Sequence, residues 1–205
     1  MLQNDHHGLL GRKIIPYFVC LLCGEATNLI VTWIGINDCQ RFMDAQSQLT
    51  SFFKLQDKLY KHGARNFVFL NVPPFDRSPA CPPPTFPLNL DWQLGHNDEG
   101  VRNLINEWNV LLNEFTLVFR QRYNNLVTAV VYDTHALFTE VLNEPEKWGF
   151  KDNLSKCHDW DCIWDDDLHP TFAMHKVIAK DLAAFLTLEG WEMASKARKK
   201  WNIGS

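Results

Sequence analysis

The residues best suited to chemistry lie late in the chain, where Trp164-Asp165-Asp166-Asp167-Leu168-His169-Pro170-Thr171 sets three carboxylates beside one histidine. A carboxylate three residues ahead of a histidine can accept its Nδ1–H, fix the tautomer and stabilise the imidazolium formed when Nε2 takes a proton. Asp166 has that spacing to His169, whereas Asp165 and Asp167 read as solvated neighbours. Such a pair also serves as a plain structural turn before a helix, and Pro170 suits a first helical turn. Asp159, Asp161, Asp165 and Asp167 admit two further readings, a calcium-type oxygen site or a solvated acidic loop.

A base needs a client and a place for developing negative charge. The second candidate segment, Trp33-Ile34-Gly35-Ile36-Asn37-Asp38-Cys39, supplies the latter. Gly35 permits a tight turn after a strand, and Asn37 can present its side-chain NH₂ at the sheet edge, where an amide donor stabilises an oxyanion. Asp38 is expected to hold the turn and cap the next helix. Asn37 and Asp38 acting only as helix caps is the plainer alternative.

These residues need a frame, and the hydropathy pattern provides one. Leu29–Ile36, Asn66–Val72 and Leu126–Tyr132 are short, continuous, β-branched or aromatic runs, the mark of strands buried on both faces. Between the first two, Phe42, Ala45, Leu49, Phe52 and Leu59 recur near helical spacing, with Gly63 as a stop. Val101, Leu104, Ile105, Trp108, Leu111, Leu112, Phe115, Val118 and Phe119 mark one face of a long helix. Thr134–Leu142 reads as a short helix, and Met174, Val177, Ile178, Leu182, Phe185 and Leu186 line a last one before Gly190. Residues 73–100 read as a proline-rich surface loop. Strand alternating with helix predicts an α/β fold, a three-layer αβα sandwich around a parallel sheet, with ligands at the carboxyl ends of the strands. Gly35, Asn37, Pro73, Pro74 and Asp133 fall there.

Composition narrows the function classes. The 205 residues carry a formal net charge of −4 and 46% hydrophobic residues, so one globular domain without a basic surface is expected, and no nucleic-acid partner. Lys196 to Lys200 form a short basic run closing a terminal helix pattern. No stretch is long enough to span a bilayer, although Ile14–Cys23 has the length of a signal-peptide core. Six cysteines are too few for a disulfide scaffold; Cys157 and Cys162 flank a short loop and can pair in an oxidising compartment. A zinc site joining Cys20 and Cys23 to Cys157 and Cys162 is a looser fit.

Taken together and in this order, the segments resemble the GDSL/SGNH hydrolase superfamily. "WIGINDC" looks like its third sequence block and "WDDDLHPT" like its fifth. "NVPPFDRSP" (71–79) and "PEKWGFKDN" (145–153) are similar to the fungal acetylesterase-like branch, carbohydrate esterase family 16. The resemblance covers roughly residues 27–188 and implies a flavodoxin-like sandwich that hydrolyses esters through a Ser–His–Asp triad. By motif match His169 is the general base, Asp166 its orienting acid, and Asn37 with Gly35 belongs to the oxyanion site. No metal or organic cofactor is implied. Small-molecule or carbohydrate ester substrates, a monomer and an extracellular location are.

One block is absent: the 205 residues contain no Gly-Asp-Ser. Ser47, Ser51, Ser78, Ser155, Ser195 and Ser205 do not follow an early buried strand, and Ser78 and Cys39 are weak substitutes as nucleophile. The expectation is an N-terminally truncated hydrolase domain over 27–190, preceded by an atypical leader or replacement segment (1–26) and followed by a basic helix (191–205). Ile14–Leu22 is a candidate substitute strand beside Leu29–Ile36. As written, such a chain is expected to have little or no activity, and a non-catalytic carbohydrate- or ester-binding protein is the alternative.

Overall fold

The computed structural model describes residues 17–21, 29–81 and 98–187. Along the chain run β1 (Tyr17–Leu21), β2 (Leu29–Trp33), α1 (Ile36–Gln40), α2 (Ala45–Lys61), β3 (Asn66–Leu70), α3 (Asp98–Arg122), β4 (Thr128–Tyr132), α4 (Thr134–Asn143) and α5 (Phe172–Phe185). Short 3₁₀ turns occupy Phe75–Arg77 and Pro145–Trp148. The sheet order is β1-β2-β3-β4. β2, β3 and β4 are parallel and in register, Leu29 beside Asn66 beside Thr128, while β1 adds an antiparallel edge, Tyr17 opposite Trp33. β1 thus pairs the full length of β2, along the side where an open apolar strand would otherwise template aggregation.

Every residue of β3 is buried, because helices cover both of its faces. Side chains alternate across the strand. Phe67 and Phe69 enter a cluster with Leu49, Phe52 and Phe53 of α2 and Ile105, Trp108, Leu112 and Phe119 of α3. Val68 and Leu70 enter the opposite cluster with Phe138 and Val141 of α4 and Met174, Ile178 and Leu182 of α5. This is the three-layer sandwich predicted from the alternating pattern. Phe52, Phe53, Phe67, Phe69 and Phe119 pack mostly edge to face, centroids 5.1–6.2 Å apart, each buried ring contributing roughly 1.5–3 kcal/mol of transfer free energy.

Several expectations need correction. Phe42 is not part of a helix: it has φ 53° and is exposed, because α2 starts only after Asp44, whose carboxylate accepts Ser47 N–H at 2.7 Å. Val118 of α3 is exposed, at the margin of the apolar face. Residues 73–81 are no surface loop: Pro73, Pro74, Phe75, Asp76, Ser78 and Cys81 are buried, since two prolines and a 3₁₀ turn lay the segment against α3. Residues 82–97, the leader before Tyr17 and the basic segment after Thr187 lie outside the described residues.

Candidate active site

β2 and β3 both end at one edge of the sheet, and each exit is fixed by a contact the strand pattern alone does not reveal. At β2, Gly35 precedes α1 with φ 116°, a left-handed conformation that favours glycine. A Cβ there would lie 2.5 Å from Trp108 Cε2 and from Val72 Cγ2, so α3 and the segment after β3 press directly on the turn. Val72 is held by a reciprocal amide pair: its N–H donates to Asn109 Oδ1 at 2.8 Å, and Asn109 Nδ2 donates to its carbonyl at 2.9 Å. Asn37 follows in the first turn of α1 with its side chain exposed.

Asp38 does not cap α1, as its spacing suggested. The cap position is Gly35, without a side-chain bond, and the Asp38 side chain is buried within the helix. Burial raises its carboxyl above the ordinary range, against the lowering effect of a backbone hydrogen bond and of Arg41. Cys39, weighed as a nucleophile, is buried with its Sγ toward Leu104 O. Burial first, then the Asp38 charge, pushes its thiol up to about 12, so almost no thiolate forms near neutrality.

The Asp166–His169 pair is formed. Asp166 Oδ1 accepts the backbone N–H groups of Leu168 (2.8 Å) and His169 (2.7 Å), and Oδ2 meets His169 Nδ1 at 2.8 Å. Burial pushes this carboxyl upward, but the His169 and Leu168 N–H bonds and then the His169 ring outweigh it and hold it down to about 2. A permanent carboxylate therefore faces Nδ1, while the side chains stay 57% and 69% exposed. The turn is braced from both ends. Trp164 is buried, donates its indole N–H to Asn153 O at 2.9 Å, and bridges to Pro170 across the loop. Thr171 donates its hydroxyl to Cys162 O at 2.6 Å and caps α5 by accepting Met174 N–H.

Asp165 and Asp167 are exposed, as expected of solvated neighbours, and each also has a surface partner of its own. Asp165 pairs with His158 Nδ1 at 2.6 Å, and Asp167 with Lys156 Nζ. Separate partners do not pool these carboxylates into a calcium-type cage. Cys157 and Cys162 are joined in a disulfide, so the zinc half-site assigned to them holds no thiolates. Cys157, Asp161 and Cys162 do bring ligand-type atoms within 4.8 Å of one another, but two of the three are the bridged sulfurs.

Asp166 and His169 are thus brought together directly. Leu168, between them in sequence, packs in the cluster that contains Cys39, Val72, Phe75 and Trp108, and Ala80 N–H donates to Asp167 O at 2.7 Å, but among the described residues no hydrogen bond links Gly35 or Asn37 to the pair. No described serine is hydrogen-bonded to His169. Ser47 and Ser51 are exposed on α2, Ser78 is fully buried with its hydroxyl unpartnered, and Ser155 donates to Asp152 at 2.5 Å. Ser195 and Ser205 lie outside the described residues.

A family model described as GDSL-like lipase/acylhydrolase matches residues 7–182, spanning β1 to α5 and both motifs. The chain belongs to this family. Among curated relatives, an acetylesterase of Thermothelomyces thermophilus is 29% identical over 165 residues, covering 76% of this chain and 51% of that protein. GDSL esterase/lipase 4 of Arabidopsis thaliana is 33% identical over 103 residues, 49% of this chain and 25% of that protein. The chain therefore spans about half the length of the acetylesterase and about a quarter of the plant relative.

Three site residues escaped the sequence reading. Asn71 closes β3: its Nδ2 donates to Asp133 Oδ1 (2.8 Å), its Oδ1 accepts His135 N–H (2.9 Å), and its carbonyl accepts the Trp33 indole N–H (3.1 Å). One residue so ties the ends of all three parallel strands. A polar residue ending a fully apolar run was the available signal. Asn109 sits on the margin of an apolar helix face, where nothing marks it. His175 of α5 is exposed overall but lies edge-on to Trp33 at 6.2 Å, and partial desolvation of its ring, then the charge of His169, lowers its pKa. Helical spacing placed its neighbours in the core and gave it no role.

Proposed function

We propose that this chain carries the base half of a GDSL-type ester hydrolase site. His169 is the general base, Asp166 fixes its tautomer, and Asn37, on the turn opened by Gly35, is the oxyanion donor. The observation that carries this reading is the His169 Nδ1–Asp166 Oδ2 contact at 2.8 Å, made to a carboxylate already held by two backbone N–H groups. In a Ser–His–Asp hydrolase such a base takes the serine proton during attack on the ester carbonyl and returns it to the leaving alcohol. The 205 residues contain no Gly-Asp-Ser, so we infer that the chain by itself has little or no turnover. Small-molecule or acetylated-carbohydrate esters are the substrate class supported by likeness to an acetylesterase. The Cys157–Cys162 disulfide is in keeping with an oxidising, extracellular setting.

A non-catalytic ester- or carbohydrate-binding protein is the second reading, favoured by the absence of any described serine on His169. Hydrolysis of p-nitrophenyl acetate by the chain and by His169→Ala tests the proposal. Equal, background-level rates are expected. Turnover in the parent that falls about 10³-fold or more in His169→Ala, the scale of a lost triad member, overturns the inactive reading and leaves the dyad assignment standing.

A further inference from the structure

A groove of about 230 Å³ opens between the disulfide loop, the 3₁₀ turn at Pro145–Trp148 and the outer face of α5. Trp148, Phe150, Trp160 and Val177 give it apolar walls, and Lys176 and Lys180 line it one helical turn apart. The exposure is unusual for rings of this size: Trp160 is 66% exposed and Phe172, at its side, 71%. The two stand perpendicular with centroids 5.2 Å apart, and Lys176 Nζ lies 5.9 Å from the Trp160 ring centre. Trp160 sits among the four residues between Cys157 and Cys162, so its loop is pinned by the disulfide before any ligand arrives.

We propose that this groove binds an aromatic carboxylate, a flat ring carrying one anionic group. Apolar walls and exposed indole favour a planar hydrophobic ring by area burial and by stacking. Among the described residues both charged side chains in the lining are cationic and no acid lines it, which sets the charge of the occupant. A uronate or other acidic sugar fits less well, since its hydroxyls need acceptors as well as donors, and the described lining side chains offer only donors, two ammonium groups and the indole N–H groups of Trp148 and Trp160. The size suits one or two fused rings, not a polymer. This site is independent of the ester chemistry, and its test does not use activity.

The full chain is titrated with 4-fluorocinnamate, observed by ¹⁹F NMR, beside the neutral 4-fluorocinnamamide and glucuronate as competitor. Saturable binding is expected, at least about fivefold tighter for the carboxylate than for the amide. Trp160→Ala should weaken it about threefold to tenfold, a stacking contact being worth about 0.5–1.5 kcal/mol. Lys176→Met with Lys180→Met should remove the preference for the carboxylate. Both changes fall on exposed side chains, so folding is not at stake, and unchanged far-UV circular dichroism and melting confirm it. Reduction of Cys157–Cys162 should weaken binding by freeing the Trp160 loop. Equal binding of acid and amide, an unaffected Trp160→Ala, no saturable binding, or displacement by glucuronate at equal concentration each overturns the proposal.

Discussion

At the scale of single residues, Asp166 joins local structure to chemistry. Its two oxygens divide the work: one terminates backbone N–H groups of the turn, the other orients a ring. Substitution by Asn keeps the first function, because an amide oxygen still accepts from Leu168 and His169 N–H. It turns an NH₂ toward Nδ1 and so inverts the second. In ¹⁵N NMR of the neutral ring, His169 is expected to carry its proton on Nδ1 in the parent and on Nε2 in Asp166→Asn. The depressed carboxyl also sets a pH window. A folded-state value of about 2, below the ordinary value of about 3.9 in unfolded chains, gives stability that is fully present above about pH 5 and is lost as pH falls through about 2. The stability difference between parent and Asp166→Asn, from urea unfolding, should therefore shrink steadily from pH 5 to pH 2; a constant difference would contradict the assignment. Gly35 is constrained differently. Gly35→Ala meets Trp108 and Val72 at 2.5 Å on a backbone with φ 116°, and neither neighbour is free to move, both being buried. A loss of roughly 2–4 kcal/mol is expected by chemical denaturation, from overpacking and left-handed strain together.

At the scale of elements, the site depends on how strand exits are tied to helices. Asn109 illustrates this, since its amide satisfies both backbone groups of Val72 and so fixes the segment that presses on Gly35. Asn109→Ala leaves that N–H and C=O without partners and should cost about 1–3 kcal/mol, measured by urea unfolding. Asn109→Gln, a residue longer, should not restore it. How much of this was legible follows from the range of the interactions. The Asp166-x-x-His169 pair is local in sequence, so spacing alone predicted a contact that now measures 2.8 Å. Strand and helix positions were legible because hydropathy periodicity is local too, with ends misplaced by two or three residues at β2 and β3. Asn71 to Asp133 and Asn109 to Val72 span 62 and 37 residues. No local pattern carries such pairings, and the same is true of the burial of residues 73–81, whose prolines read as exposed until α3 is in place.

At the scale of the whole molecule, β3 and its two covering layers form the structural centre. Backbone amides of β3 are paired on both sides and all five residues are buried, so they are expected to exchange most slowly in native-state hydrogen exchange. The core also contains buried polar atoms without partners, among them Thr32 Oγ1, in a residue only 1% exposed. Thr32→Val keeps the branched shape and removes the unsatisfied hydroxyl, so a gain of about 1 kcal/mol is expected by thermal or urea unfolding. These features make a stable platform for the proposed base and oxyanion positions, and family membership follows from the family-model match over residues 7–182. What the 205 residues do not contain is a Gly-Asp-Ser nucleophile, and that sets the functional conclusion. The most direct measurement is labelling of the chain with a fluorophosphonate probe, read by mass spectrometry at every serine, with His169→Ala in parallel. The expected result is no labelled serine in either protein. A single serine labelled in the parent and spared in His169→Ala would identify a working nucleophile and contradict the absence of one.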